Sequence, residues 1–160
     1  MLIRAAVPDD AEALTDLHLD VWEEAYAGLM PDRIFVERRA QRRTRIERWR
    51  TNIETGPISN TVLEADQPGR LIGFASAGPA RDDDSELPPL ELSALYVRAE
   101  TYGAGLGYAL LEAAIGRAAA YLWVLDGNER ATAFYARQGF RFDGHTKTDP
   151  VGTERRMVRT

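Results

Sequence analysis

Leu2 to Ala6 has the apolar character of a strand, and Pro8, Asp9 and Asp10 behind it are helix-start residues. Leu14, Leu17, Val21 and Ala25 then recur at spacings of three and four, marking one apolar face of a helix that reaches about Tyr26. Gly28 and Pro31 break it. A second helix, rich in arginine, follows to about Arg50, and Thr51 to Asn60, with Gly56 and Pro57, reads as loop. Thr61 to Ala65 and Arg70 to Ala77 are strands joined through Asp-Gln-Pro-Gly, a hairpin-turn sequence.

The second half begins with an acidic loop, Asp82 to Glu86, expected to be mobile. An apolar strand follows over Leu90 to Val97, a helix over Gly105 to Ala120, a strand over Tyr121 to Leu125, and a helix over Glu129 to Gln138 stopped by Gly139. Two short strands, near Phe140 to Phe142 and Arg155 to Arg159, close the chain. The order β-α-α-β-β-β-α-β-α-β-β predicts an α/β (α+β) domain with a mixed sheet and helices on both faces. A length of 160 residues with 44% hydrophobic content fits one domain over 1–160.

Composition narrows the chemistry. No cysteine is present, which excludes disulfides, thiolate metal sites and a cysteine nucleophile. No signal-peptide-like run and no stretch of ~20 apolar residues occurs, so a cytoplasmic protein with no membrane partner is expected. The net charge of −5 conceals an asymmetry. Residues 31–50 hold eight arginines (33, 38, 39, 42, 43, 45, 48, 50) against Asp32, Glu37 and Glu47, a local +5 that leaves −10 elsewhere. The run is read as a solvated helix face with Ile34, Phe35, Ile46 and Trp49 turned inward, and no nucleic-acid partner is expected. His18 and His145 are too isolated in the sequence for a metal site or a serine triad, and no metal is expected.

The chemistry lies in the central segment. An apolar strand, Glu91-Leu-Ser-Ala-Leu-Tyr-Val97, runs into Tyr102-Gly103-Ala104-Gly105-Leu106-Gly107 and then a helix. Glycines let successive backbone N–H groups and the positive helix N-terminus approach one anion, so a phosphate or pyrophosphate is the implied ligand. A Walker loop would need a lysine and a Ser or Thr after the last glycine, where Tyr108 and Ala109 stand. A dinucleotide fingerprint is the better rival, with Asp126 ending the next strand, but it needs glycine at position 108.

The segment resembles motif A of the GNAT superfamily of acyl-CoA-dependent N-acyltransferases, an apolar strand followed by Gln/Arg-x-x-Gly-x-Gly/Ala. Tyr102 replaces the usual first residue, and Ala99 stands where many relatives carry proline. Leu122 to Asn128, followed by Ala131, Phe134, Tyr135, Gly139 and Phe140, resembles that family's motif B, and the N-terminal helices match in order and in Trp22, Tyr26 and Gly28. The resemblance implies a mostly antiparallel sheet with two splayed parallel strands and acetyl-CoA as co-substrate. Leu95, Tyr96 and Val97 would line the pantetheine arm, with the Val97 N–H facing the oxyanion. Tyr102, Gly103, Ala104, Gly105, Leu106 and Gly107 would cradle the pyrophosphate, with Asn128 contacting the same molecule or capping the next helix.

Transfer to an amine with a pKa near 10 needs a base or a water chain. The resemblance offers Glu91, whose burial would raise its pKa, against a reading as a rim carboxylate with no catalytic part. It offers Tyr135 as proton donor to the leaving thiolate, against a reading as a core aromatic paired with Phe134. Trp22, Glu23, Glu24 and Tyr26 would make an acidic, aromatic mouth for a cationic amine, or Trp22 and Tyr26 are ordinary core. Direct transfer to a small-molecule amine is the expected reaction; a protein acetyltransferase or a non-catalytic acyl-CoA-binding module are the alternatives. Homodimers are common among relatives.

Overall fold

The computed structural model describes residues 1–160. Its centre is one seven-stranded sheet in the order β1-β2-β3-β4-β5-β7-β6. The strands are β1 (Leu2–Ala5), β2 (Ser59–Glu64), β3 (Leu71–Pro79), β4 (Leu90–Val97), β5 (Ala120–Leu125), β6 (Arg141–Asp149) and β7 (Gly152–Arg159). Every neighbouring pair is antiparallel except β4 and β5. That parallel pair registers only at Glu91 and Tyr121, so the two strands part immediately beyond it. This is the mixed, mostly antiparallel sheet with two splayed parallel strands that the motifs imply.

Helices α1 (Ala11–Tyr26), α2 (Asp32–Ala40) and α3 (Arg42–Thr55) lie on one face, and α4 (Leu106–Ile115) and α5 (Glu129–Arg137) on the other. β3 is buried from Leu71 to Ala77, the continuous apolar run expected of a strand covered on both sides. On the α1 side Leu14, Leu17, Val21, Val62, Leu71 and Phe74 form one core cluster, with Trp49, Ile53 and Tyr96 against it. On the other side Leu92, Leu111, Leu122, Val124, Tyr135, Phe140 and Met157 form another. No helix is long and apolar enough to cross a membrane.

Several boundaries differ from the sequence expectation. The arginine-rich helix is two helices, because Gln41 leaves the helical region (φ −95°, ψ 14°). Each half serves a different core: Ile34 and Phe35 of α2 meet Met30 and Leu125, whereas Trp49 and Ile53 of α3 meet the Leu14 cluster. A straight helix would not reach both. α3 runs on to Thr55, through residues expected as loop. α4 stops at Ile115 rather than Ala120, because Gly116 turns to φ +54° and the Arg159 guanidinium takes the Gly116 and Ala118 carbonyls. The last two strands are a long hairpin, of nine and eight residues.

One irregularity positions the site. Ser76 pairs with Ala94 but Ala77 pairs with Leu92, leaving Ser93 as an extra residue in β4, its hydroxyl donating to the Ser76 carbonyl at 3.2 Å. An extra residue flips the side-chain alternation of all that follows. Leu92 therefore packs toward α5, while Ala94 and Tyr96, two and four residues on, pack toward α1. Leu95 and Val97 meet α4 instead.

Candidate active site

The gap between β4 and β5 is a solvent-open cleft with about 110 Å³ of room for water. Leu92 to Val97 line one wall, Trp123 and Val124 another; Asn128, Ala131, Phe134 and Tyr135 come from the second motif, and Ala25 and Tyr26 from α1. β5 bonds β4 only at its start, so the β4 edge from Leu92 to Val97 offers main-chain groups to whatever enters. The cleft continues over a second hollow lined by Thr101, Tyr102, Gly103, Gly105, Leu106, Gly107, Tyr108, Arg130, Phe134, Arg137 and Gln138.

That hollow is an anion cradle. The N–H groups of Gly105, Leu106, Gly107 and Tyr108 find no acceptor within the chain, and they form the first turn of α4. Gly103 and Gly105 hold φ of +82° and +81°, a conformation that side chains disfavour, and a Cβ at either would meet no atom of the chain. Arg130 stands beside it, its guanidinium 3.7 Å over the Tyr102 ring and its Nη2 donating to the Tyr102 hydroxyl at 3.0 Å. A diphosphate fits this donor set: four oriented amides, a helix N-terminus and a guanidinium.

Tyr135 is 9% exposed, packs edge-on against Phe134 and Phe140, and lines the cleft. Its hydroxyl has no partner in the chain, and burial pushes its pKa well up, so the phenol keeps its proton. It is both the core aromatic and a cleft group. Asn128 is likewise both: its Oδ1 accepts the Ala131 N–H at 3.2 Å as a helix cap, while the side chain lines the cleft.

A family model for the acetyltransferase (GNAT) family matches residues 13–140. The chain belongs to the GNAT acetyltransferase family. Among curated relatives, a probable N-acetyltransferase of Mycobacterium tuberculosis is 28% identical over 149 residues, 91% of this chain and 83% of the relative. An uncharacterized N-acetyltransferase of Mycobacterium bovis is 35% identical over 97 residues, 57% of this chain and 58% of its own. In fold, the chain is similar to the PaiA N-acetyltransferase of Thermoplasma acidophilum, solved with coenzyme A (TM-score 0.70, 20% identity, 97% of this chain and 96% of that one). It is also similar to a ribosomal-protein-alanine N-acetyltransferase of Brucella melitensis (TM-score 0.70, 23% identity, 99% of both chains).

As a GNAT acetyltransferase the protein is an enzyme dependent on acetyl-CoA. Leu95, Tyr96, Val97, Tyr102, Gly107, Asn128 and Tyr135 come together along the cleft, with Gly103, Gly105 and Leu106 at its outer end. Ala104 contributes to neither wall. Arg130 and Arg137 were not singled out by the motifs. The signal for Arg130 was its place, two residues after Asn128, in the first turn of a helix facing the glycine turn.

Three sequence expectations on the acceptor side are corrected. Glu91 is 3% exposed, and burial alone would raise its pKa. The Arg81 guanidinium, bound at 2.7 and 2.9 Å, and the Tyr121 hydroxyl at 3.1 Å outweigh burial and hold the carboxyl below its usual range. It also lies outside the cleft lining. Glu23 does not form an acidic mouth: Arg39 takes both its oxygens, at 2.7 and 2.8 Å. Glu24 is held by the Ala99 N–H at 2.6 Å. The Asp82 to Glu86 loop is tied down, with Asp82 accepting the Trp123 indole N–H at 3.1 Å and Asp84 accepting from Arg156 at 2.9 Å.

Tyr26 does line the cleft, its hydroxyl 2.7 Å from that of Tyr96, and Trp22 stands behind it at 5.1 Å, edge to face. A second carboxylate near Tyr26 is Glu154, which, like Glu91, lies outside the cleft lining. Half-buried on β7 opposite Leu125, it has no ion-pair or hydrogen-bond partner on its side chain; burial raises its pKa, and its charge reaches Tyr26.

Proposed function

We propose that this enzyme transfers the acetyl group of acetyl-CoA directly to a primary amine of a small molecule. The observation that carries the reading is the meeting of the unpaired β4 edge, the N–H cradle and the free Tyr135 hydroxyl on one cleft. Acetyl-CoA supplies an activated thioester; the chain binds, orients and moves protons. The amides of Gly105 to Tyr108, with Arg130, hold the diphosphate, and the β4 edge holds the arm. The Val97 N–H then lies where the carbonyl oxygen gains charge, a preorganised donor.

The chain lacks cysteine, so attack by the amine without a thiol relay is the simplest route. Tyr135, protonated at any working pH, donates to the departing sulfur. Proton removal from the amine falls to a carboxylate, and Glu154 suits it better than Glu91. An unpartnered carboxyl whose pKa is raised by burial is the better proton acceptor than one whose pKa is lowered by a guanidinium. Glu91 instead keeps Arg81 and the start of the 82–86 loop in place.

A small acceptor is favoured over a peptide because that loop is pinned beside the cleft, to its wall residue Trp123 and to Arg156. The test is thiol release from acetyl-CoA with two sets of acceptors, small amines and peptides with free N-terminal or lysine amines. Turnover confined to small amines is expected. Peptides outperforming every small amine would reverse the assignment, and acetyl-CoA binding without turnover on any acceptor would point to a regulatory module.

A further inference from the structure

Four side-chain polar atoms are shut off from solvent and lack a partner, and they lie in one region: Trp22 Nε1, Arg38 Nε and Nη2, and Arg45 Nε. All four are donors. The other arginines of α2 and α3 that touch α1 are matched, Arg39 to Asp20 and Glu23, and Arg42 to Glu12 and Asp16. Arg38 and Arg45 have no carboxylate within ion-pairing distance, and each is partly withdrawn from water. Arg38 lies 3.5 Å over the Trp22 ring. Burial, and then the neighbouring Arg45, pushes its pKa down to about 10. His18 sits among them, its pKa pushed down to about 3 by burial and by the two arginines, so it adds no charge. It lines a solvent-open hollow of about 190 Å³ with Arg45, Arg48, Trp49 and Asn52, beside Trp22 and Arg38, which do not line it.

Two unpaired cations and four unmet donors call for an anion, because water can satisfy donors but cannot balance charge. The Nε and Nη2 of Arg38 share one edge of its guanidinium, the edge that takes two oxygens of a carboxylate side by side. The cluster packs behind one wall of the active-site cleft without lining it. His18 is 5.9 Å from the Tyr96 ring and Trp22 5.1 Å from the Tyr26 ring, and both tyrosines line the cleft. We infer that Trp22, Arg38 and Arg45 form an anion subsite that receives an acidic group of the acceptor, so that the substrate is an amine that also carries a carboxylate. This deepens the acetyl-transfer reading and rests on it. It replaces the expectation of an acidic mouth for a cationic amine, and it gives the arginine run a purpose beyond a solvated face.

The test compares ω-amino acids of two to six carbons with their carboxamides, in thiol release at saturating acetyl-CoA. The acid of the fitting length should exceed its amide at least ~10-fold in kcat/KM, the equivalent of one good charged contact. Arg38→Gln and Arg45→Gln should each raise KM for the acid far more than for the amide and so bring that ratio toward one. Equal kcat/KM for acid and amide in the wild type, or a preference that survives both substitutions, would overturn the inference while leaving acetyl transfer intact.

A second readout does not need turnover. Without acetyl-CoA, the fitting amino acid should raise the melting temperature of the wild type, its amide should not, and Arg38→Gln should lose the response while melting higher than wild type in anion-poor buffer. If no amine is acetylated, the acetyl-transfer reading fails by itself, and this second readout decides the subsite: a specific rise sustains it, and no rise overturns it. Inorganic phosphate separates the two sources of anion. Stabilisation by phosphate together with no preference for the acid in turnover would mean a free-ion site and would overturn the acceptor assignment.

Discussion

Replacing Glu91 with glutamine separates a carboxylate that organises the site from one that does chemistry. The carboxylate makes two charged bonds to Arg81, at 2.7 and 2.9 Å, and accepts the Tyr121 hydroxyl at 3.1 Å. Glutamine keeps one oxygen for these donors and loses the charge. A charge-assisted hydrogen bond contributes about 1.5–3 kcal/mol, but the Arg81 side chain is 61% exposed and rehydrates when its partner is neutralised, which brings the expected loss to about 1–2 kcal/mol. For a chain of this size that lowers the melting temperature by about 2–8 °C. The folded-state pKa is depressed, so the stabilisation is present above the unfolded carboxyl pKa of about 4.3 and is lost as pH falls through the folded value. The two proteins should therefore melt apart at pH 7 and converge below pH 4. On turnover, removal of a general base costs about 100-fold or more, whereas loosening of the Arg81 loop should cost less than about 5-fold. A 100-fold fall in kcat with an unchanged melting temperature would refute this reasoning and return Glu91 to the role of base.

Glu154→Gln should show the opposite pattern. Its folded pKa is raised, so the ionised form burdens the fold above that pKa; the variant should melt higher at pH 7, with the gain fading at low pH, while kcat falls about 100-fold. Tyr135→Phe should bind acetyl-CoA normally and lose about 100-fold in kcat, and full activity would reduce Tyr135 to a core aromatic. Gly105→Ala should destabilise by about 1–2 kcal/mol through its φ of +81° and weaken acetyl-CoA binding in calorimetry. His18 stays neutral in the fold down to about pH 3, whereas the unfolded chain takes up its proton near 6.5. Stability should fall by up to about 1.4 kcal/mol per pH unit below 6.5 from this residue, and His18→Phe should flatten the pH dependence of the melting temperature.

The glycine turn and the Ala131 to Phe140 helix were legible because their function depends on backbone geometry that few residues allow, such as the positive φ at Gly103 and Gly105. The strand order followed from alternation and turn chemistry. What escaped the sequence depended on partners far along the chain. Glu23 and Glu24 read as an open acidic pair, since nothing local reveals that Arg39 and the Ala99 N–H consume them. Glu91 read as a carboxyl of raised pKa because Arg81 reaches it across a strand pair. The bulge at Ser93, which sends Tyr96 toward α1, carries no mark in Leu-Ser-Ala-Leu. The eight arginines of residues 31–50 look alike in sequence, and only the fold distinguishes Arg39 and Arg42, matched on α1, from the half-buried and unpaired Arg38 and Arg45.

The central claim is acetyl transfer from acetyl-CoA through this cleft, and the most direct measurement is mass spectrometry of an amine mixture incubated with the protein and acetyl-CoA, alongside calorimetric titration of acetyl-CoA. The account predicts saturable binding with about one site per chain and an amine gaining one acetyl group, both lost when the cradle is blocked by Gly105→Ala with Gly107→Val. Absence of acetyl-CoA binding by the folded protein, or acetylation that persists in the blocked variant, would contradict it.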